Sequence, residues 1–209
     1  MRLYSYQHPA ILQTLQRGER HTCCWERVSG ERWQNAFRWM ADQMAQHGIK
    51  LGDYAPVWAW HSVNRIGGKP DEDCAHALLS DLQIEPGVVL LELEVPEHQA
   101  LASCYNAWNL ILDRFIDGDL PESQVVADCF SVRLTPQRGR PPARFPGIQA
   151  CLPYIDASWV RSWELLDTEG MLAERKARCE AAKQFYEAYQ SIEWEFDAKG
   201  KLLVKLTKK

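Results

Sequence analysis

The stretch at residues 88–96, Val-Val-Leu-Leu-Glu-Leu-Glu-Val-Pro, restricts this chain more than any other. It follows the turn signal Glu85-Pro86-Gly87 and stops at Pro96, which has no N–H to give to a sheet ladder. Residues 88–91 are apolar throughout and can be buried on both faces. From Leu91 the pattern alternates, with Leu91, Leu93 and Val95 on one side and Glu92 and Glu94 on the other. A period of two with this much valine and leucine specifies a strand, and its apolar start predicts a central place in a sheet. Residues 3–7, 56–62 and 148–154 are expected beside it in the same sheet.

Helical patterns separate these strands. Pro9 sits where a first turn needs no N–H, Ile11, Leu12 and Leu15 follow at helical spacing, and Gly18 ends the run. Residues 23–25 read as one more short strand. Residues 31–47 put Trp33, Phe37, Met40 and Met44 on one face, with Gly48 as the stop. Residues 71–82 begin with acidic side chains that suit a helix N-terminus. Leu101, Cys104, Tyr105, Trp108, Leu112 and Phe115 predict a helix over at least the second half of residues 99–115. Residues 157–166 are expected as a short helix and 169–189 as a long one. Residues 192–196 and 202–206, either side of a turn at 197–200, are expected as a hairpin. Residues 136–146 hold Pro136, Pro141, Pro142 and Pro146 with Arg138, Arg140 and Arg144, and read as an exposed, mobile loop. The pattern as a whole predicts an α+β fold. A twisted, mostly antiparallel sheet with packed helices would occupy a core domain at residues 1–166, with a helix and hairpin at 167–209 packed on it.

With 209 residues and 46% apolar content the chain can bury one ordinary core. A formal charge of −4 gives no electrostatic case for nucleic acid. No apolar run is long enough to span a bilayer, and the first residues turn polar by His8, so neither a membrane span nor an export leader is expected. The seven cysteines are odd in number and contain no Cys-x-x-Cys, which fits reduced thiols in the cytoplasm. Nine tryptophans are many for this length, and some are expected to line a pocket or an interface.

The usual catalytic signatures are absent: no P-loop, no G-x-G-x-x-G, no G-x-S-x-G and no H-E-x-x-H. Cys74 and His76 have poor spacing for zinc and no second pair, so no metal site is expected. Polar residues at the ends of apolar strands say more: Gln7, His61, Ser62 and Gln149. Each must be hydrogen-bonded, either within the sheet or to a ligand. Edge capping and a shared cleft explain them equally well. Glu92 and Glu94 read as a solvated face, and the loop arginines as a solvated loop.

The blocks Leu3-Tyr4-Ser5-Tyr6-Gln7, Pro56-Val57-Trp58-Ala59-Trp60, residues 90–96, residues 103–108 and Ile148-Gln149-Ala150 together resemble an uncharacterised bacterial domain-of-unknown-function family, in order over about residues 1–166. A more distant similarity is to the ADP-ribosyltransferase fold. That fold opens with a Leu-Tyr-(His/Arg) strand and a helix ending in Gly, as at Leu3-Tyr4-Ser5 and residues 11–18. Trp60-His61-Ser62 stands where the fold carries an aromatic or Ser/Thr motif, and residues 91–96 match its Leu-x-(Val/Ile)-x-(Val/Ile)-Pro strand. Residues 149–160 match the strand that begins with the catalytic Glu or Gln, with Pro153 and then Trp159-Val160 following in the family's order. Ser5 replaces the His or Arg of the family, and Gln149 replaces the Glu. This resemblance implies NAD as substrate, in a cleft lined by Tyr4, Ser5, Tyr6, Gln7, Trp58, Trp60 and Ser62. Gln149 would hydrogen-bond the ribose as nicotinamide leaves, and His61 would act as base or phosphate ligand. It further implies a protein or nucleic-acid acceptor, a toxin or phage-defence role and a cognate antitoxin. The alternative is a non-enzymatic binding or adaptor module that retains the fold, which Ser5 and Gln149 favour.

Overall fold

The computed structural model describes residues 1–28, 30–63, 66–134, 147–196 and 202–208. The expected Pro/Arg loop at 136–146 and the turn at 197–200 lie outside these residues. Chain contacts divide the protein into two compact units, Met1–Leu166 and Asp167–Lys209.

The first unit is built on a six-stranded sheet. Its strands are β1 (Arg2–Gln7), β2 (Val57–Ser62), β3 (Val89–Glu94), β4 (Leu101–Cys104), β5 (Ile148–Leu152) and β6 (Val160–Leu165). They lie in the order β4-β5-β2-β1-β3-β6, and every neighbouring pair is antiparallel. The four segments expected to share a sheet do share it. The stretch at 88–96 does not take the centre, however. β3 lies one strand in from the edge, and β1 and β2 are central. Its alternating half explains the place: Glu92 needs polar company, and takes Arg2 at 3.3 Å and the Ser162 hydroxyl at 3.1 Å.

Residues 157–166 do not form the expected helix. Ala157–Trp159 make a single 3-10 turn, capped by Asp156, which accepts from the Ser158 N–H at 3.0 Å. The chain then runs on as β6. Val160 is β-branched, Trp163 is aromatic, and β3 offers an open ladder, so pairing overrides a weak helical pattern. Residues 101–104 are likewise a strand, and the helix begins only at Tyr105. Residues 23–25 make only an isolated bridge, Cys23 to Ala55, and enter a 3-10 turn at Trp25–Arg27.

The helices of this unit are α1 (Ile11–Gln16), α2 (Glu31–Gln46), α3 (Glu72–Leu78), α4 (Asp81–Ile84), α5 (Tyr105–Asp117) and α6 (Ser123–Phe130). They divide the core between the two faces of the sheet. On the first face Leu3, Val57, Ala59, Val89, Leu91, Leu93, Ala150 and Leu152 pack with Ile11 and Leu15 of α1. On the second face Cys151 and Leu101, with Trp58 against them, pack with Met40 and Met44 of α2, Trp108 and Ile111 of α5, and Cys129 of α6. At about 25 cal/mol per Å² of apolar area, each large buried side chain here contributes roughly 1.5–3 kcal/mol. Gly118 ends α5 with φ of 89°, a left-handed conformation that a side chain would strain.

In the second unit α7 (Thr168–Ala188) is followed by β7 (Tyr189–Phe196) and β8 (Leu202–Lys208), an antiparallel pair. No helix among the described residues is long and apolar enough to cross a membrane.

Candidate functional site

Cross-strand registers place the sequence-predicted site residues on both faces of the sheet. One transverse row runs across all six strands. Ser103 pairs with Gln149, Gln149 with Trp60, Trp60 with Tyr4, Tyr4 with Glu92 and Glu92 with Ser162. Directly paired residues project to the same face, so Gln149, Trp60 and Tyr4 stand together on the second face. Trp58, opposite Cys151, and Tyr6, opposite Leu90, share that face two positions along. Ser5 pairs with Leu91 and Gln7 with Val89, both members of the first-face core. The sheet therefore separates Ser5 and Gln7 from Gln149.

His61 marks a bulge. The β2–β5 register shifts between Trp60 and Ser62, so Ser62 stands opposite Ile148 and His61 is the additional residue. Its Nδ1 lies 2.6 Å from the Ser62 hydroxyl, which also accepts the Gly67 N–H at 2.9 Å. These bonds tie the buried Ser62 to the loop after β2. Burial, and then the Met1 ammonium charge, lower the His61 pKa, so its ring is neutral at pH 7. His61 lies one position beyond Trp60, whereas Tyr6 and Gln7 lie two and three positions beyond Tyr4 toward the other end of the sheet. The geometry does not gather His61, Gln7 and Gln149 into one cleft.

Internal hydrogen bonds occupy most of the polar candidates. Gln149 is 3% exposed, and its amide donates to the Ser103 hydroxyl at 3.2 Å. Ser5 is fully buried; its hydroxyl donates to the Trp58 carbonyl at 2.7 Å and accepts from Gln7 Nε2 at 2.8 Å. The Tyr6 hydroxyl donates to the Asp71 carbonyl at 2.7 Å. Burial raises its pKa, reinforced by Cys74, Asp71 and Glu164, so Tyr6 stays a neutral donor. The Trp58 indole Nε1 is different: it is buried with no hydrogen-bond partner. Burial also pushes the Cys129 thiol up to about 12 and raises Cys151, which makes both poor nucleophiles at pH 7. Among the described residues no group of three or more His, Cys, Asp or Glu could hold a metal ion.

Near Gly147 the second face leaves an aromatic pair accessible. Trp60 is half-buried and meets Tyr105, the first residue of α5, edge to face with ring centres 5.0 Å apart. Gly147 lies against both: a Cβ there would stand 3.2 Å from Trp60 and 3.6 Å from Tyr105. Sequence reasoning missed Ser103 and Tyr105, because residues 99–115 read as one partly helical segment. The short alternation Leu101-Ala102-Ser103 before Tyr105 was the available signal.

No curated protein and no solved structure matches the chain significantly. One family model does match, over residues 2–124, which takes in β1 to β4, α1 to α5 and the aromatic pair of Trp60 and Tyr105. That span exceeds half of the chain, which therefore belongs to the family described as a domain of unknown function, DUF3841.

Proposed function

We propose that this domain is a binding module for a planar, ring-bearing ligand, with Trp60 and Tyr105 as the stacking surface and no catalytic role for Gln149. The observation that carries this reading is the burial of Gln149 with its amide given to Ser103. A group held this way supports the sheet, and reaching a ribose would break its bond to Ser103. Aromatic rings offer a sequence-tolerant platform for a planar group, worth about 0.5–1.5 kcal/mol per pair beyond area burial.

A second reading keeps the chemistry: an ADP-ribosyltransferase-like enzyme using NAD to modify a protein or nucleic acid, in a toxin or phage-defence setting. It is favoured by the shared row of Tyr4, Trp60 and Gln149 on one face. NAD carries two planar rings and is the probe for both readings. At about a hundredfold excess over Kd, binding adds roughly 2.7 kcal/mol, visible as a thermal shift. The binding reading expects that shift in the wild type and in Gln149→Ala, its loss in Tyr105→Ala, and no free nicotinamide. Gln149→Ala itself should cost about 1–3 kcal/mol in a urea titration, from the lost amide–hydroxyl bond and the space left in the sheet. Nicotinamide released by the wild type but not by a folded Gln149→Ala protein would establish the enzymatic reading instead. Absence of any shift at millimolar NAD would remove NAD as the ligand of either.

A further inference from the structure

The outer edge of β6 carries a feature that neither reading uses. β6 ends the sheet, with β3 on one side and no strand on the other among the described residues. Exposed sheet edges are normally blunted by lysine, proline or a covering element, since their free N–H and C=O groups invite another strand. β6, Val-Arg-Ser-Trp-Glu-Leu, carries Arg161 at a register shift in its ladder to β3 but neither lysine nor proline, and it keeps Trp163 48% and Leu165 60% exposed.

The two sides of this edge differ chemically. Trp163 pairs with Leu91 and Leu165 with Val89, so both extend the apolar first face to the rim. Glu164 pairs with Leu90 and lies on the second face, beside an open pocket of about 320 Å³. Residues 69–72 and 164–166 line that pocket. Lys69 neutralises Glu164 across 2.8 Å, and among the described residues no lysine or arginine pairs with Asp71 or Glu72. Hydrogen bonds from Cys74 hold the Asp71 carboxyl below its usual range, so it is ionised at pH 7. The bond from Tyr6 to the Asp71 carbonyl fixes this wall to β1.

We propose that β6 is a docking edge for an extended peptide of alternating apolar and basic residues from a partner protein. The peptide adds a seventh strand to the sheet. Main-chain hydrogen bonds to β6 supply affinity, and the two differing sides supply selectivity. Its apolar residues lie beside Trp163 and Leu165, and its basic residues face Asp71 and Glu72. Charge complementarity thus selects lysine or arginine at every second position. The proposal is independent of the ligand assigned to Trp60 and Tyr105.

Fluorescence anisotropy with the full chain tests it. The probe is fluorescein-labelled Lys-Val-Lys-Val-Lys-Val-Lys, compared with its Glu-for-Lys counterpart and with Lys-Lys-Lys-Lys-Val-Val-Val. Saturable binding of the alternating basic peptide, at least about tenfold tighter than either control, is the expected result. Trp163→Lys and Glu72→Gln, both surface changes, should each weaken it several-fold with the melting temperature nearly unchanged. Equal binding of all three peptides, equal binding by both variants, or no binding at roughly millimolar peptide overturns the proposal. So does a concentration-dependent dimer abolished by Trp163→Lys, which would assign the edge to a second copy of the chain.

Discussion

Two histidines give the molecule a pH dependence at the level of single residues. His21 is lowered by burial and by Arg27, and His61 by burial and by the Met1 ammonium. Both are therefore protonated less readily in the folded chain than in the unfolded one, whose imidazole value is about 6.5. Between the folded and unfolded values the unfolded chain binds more protons, so stability rises with pH there. The contribution is complete above about pH 6.5 and is lost as pH falls through the lowered folded values. Urea midpoints measured from pH 7.5 to 5 should fall over that window, and His61→Gln should flatten part of the fall. A midpoint independent of pH in that range would contradict the assignment. The carboxylates lowered by their partners, Asp71 and Asp156, act in a separate window below about pH 4. At this scale the sequence marked Gln7, His61, Ser62 and Gln149 as polar intrusions needing partners, and the structure supplies partners to all four. It could not show which face each occupies, because a face depends on register between strands far apart in the chain. The bulge at His61 is likewise invisible until β5 is laid beside β2.

At the scale of elements, strands with strong alternation were legible and those formed by opportunity were not. β3 and β2 declare themselves through apolar period-two runs. β6 has a pattern that suits a helix about as well, and only the free ladder of β3 decides it. β4 is four residues long and runs directly into α5, so its alternation is too brief to stand out. α3 illustrates the opposite case. Asp71 was legible as a helix-start residue, and it does cap α3, accepting the Cys74 N–H at 2.9 Å. Asp71→Ala should cost about 1 kcal/mol, the usual worth of an N-cap, measured by chemical denaturation. It should also loosen the wall that Tyr6 holds. Asp71→Asn, which keeps an accepting oxygen, should recover most of the loss, and a loss equal to that of Ala would show that the charge matters more than the cap.

For the molecule as a whole, the α+β class stems from the turn-bounded strands and the helical stretches between them. The order β4-β5-β2-β1-β3-β6 is not encoded so locally, since β5 comes late in the chain yet inserts between β4 and β2. Nothing local in Ile148-Gln149-Ala150-Cys151-Leu152 names its neighbours. Since Met1–Leu166 forms one compact unit with all six strands, a fragment of residues 1–166 should unfold in a single cooperative urea transition. A broad, non-cooperative transition would show that the sheet depends on residues beyond it.

The late arrival of β5 has a consequence for how the protein is made. A nascent chain emerges from its N-terminus and domains fold as units during synthesis. After β3 appears, β2-β1-β3 can assemble, but both outer ladders, of β2 and of β3, stay bare until β5 and β6 are synthesised. β4 has no sheet neighbour but β5, so it too must wait. For more than 50 residues of translation, from Glu94 to Ile148, the growing chain carries apolar strands with open edges, the condition under which partly folded chains stick to one another. This stretch of synthesis is where the protein would draw on holding chaperones.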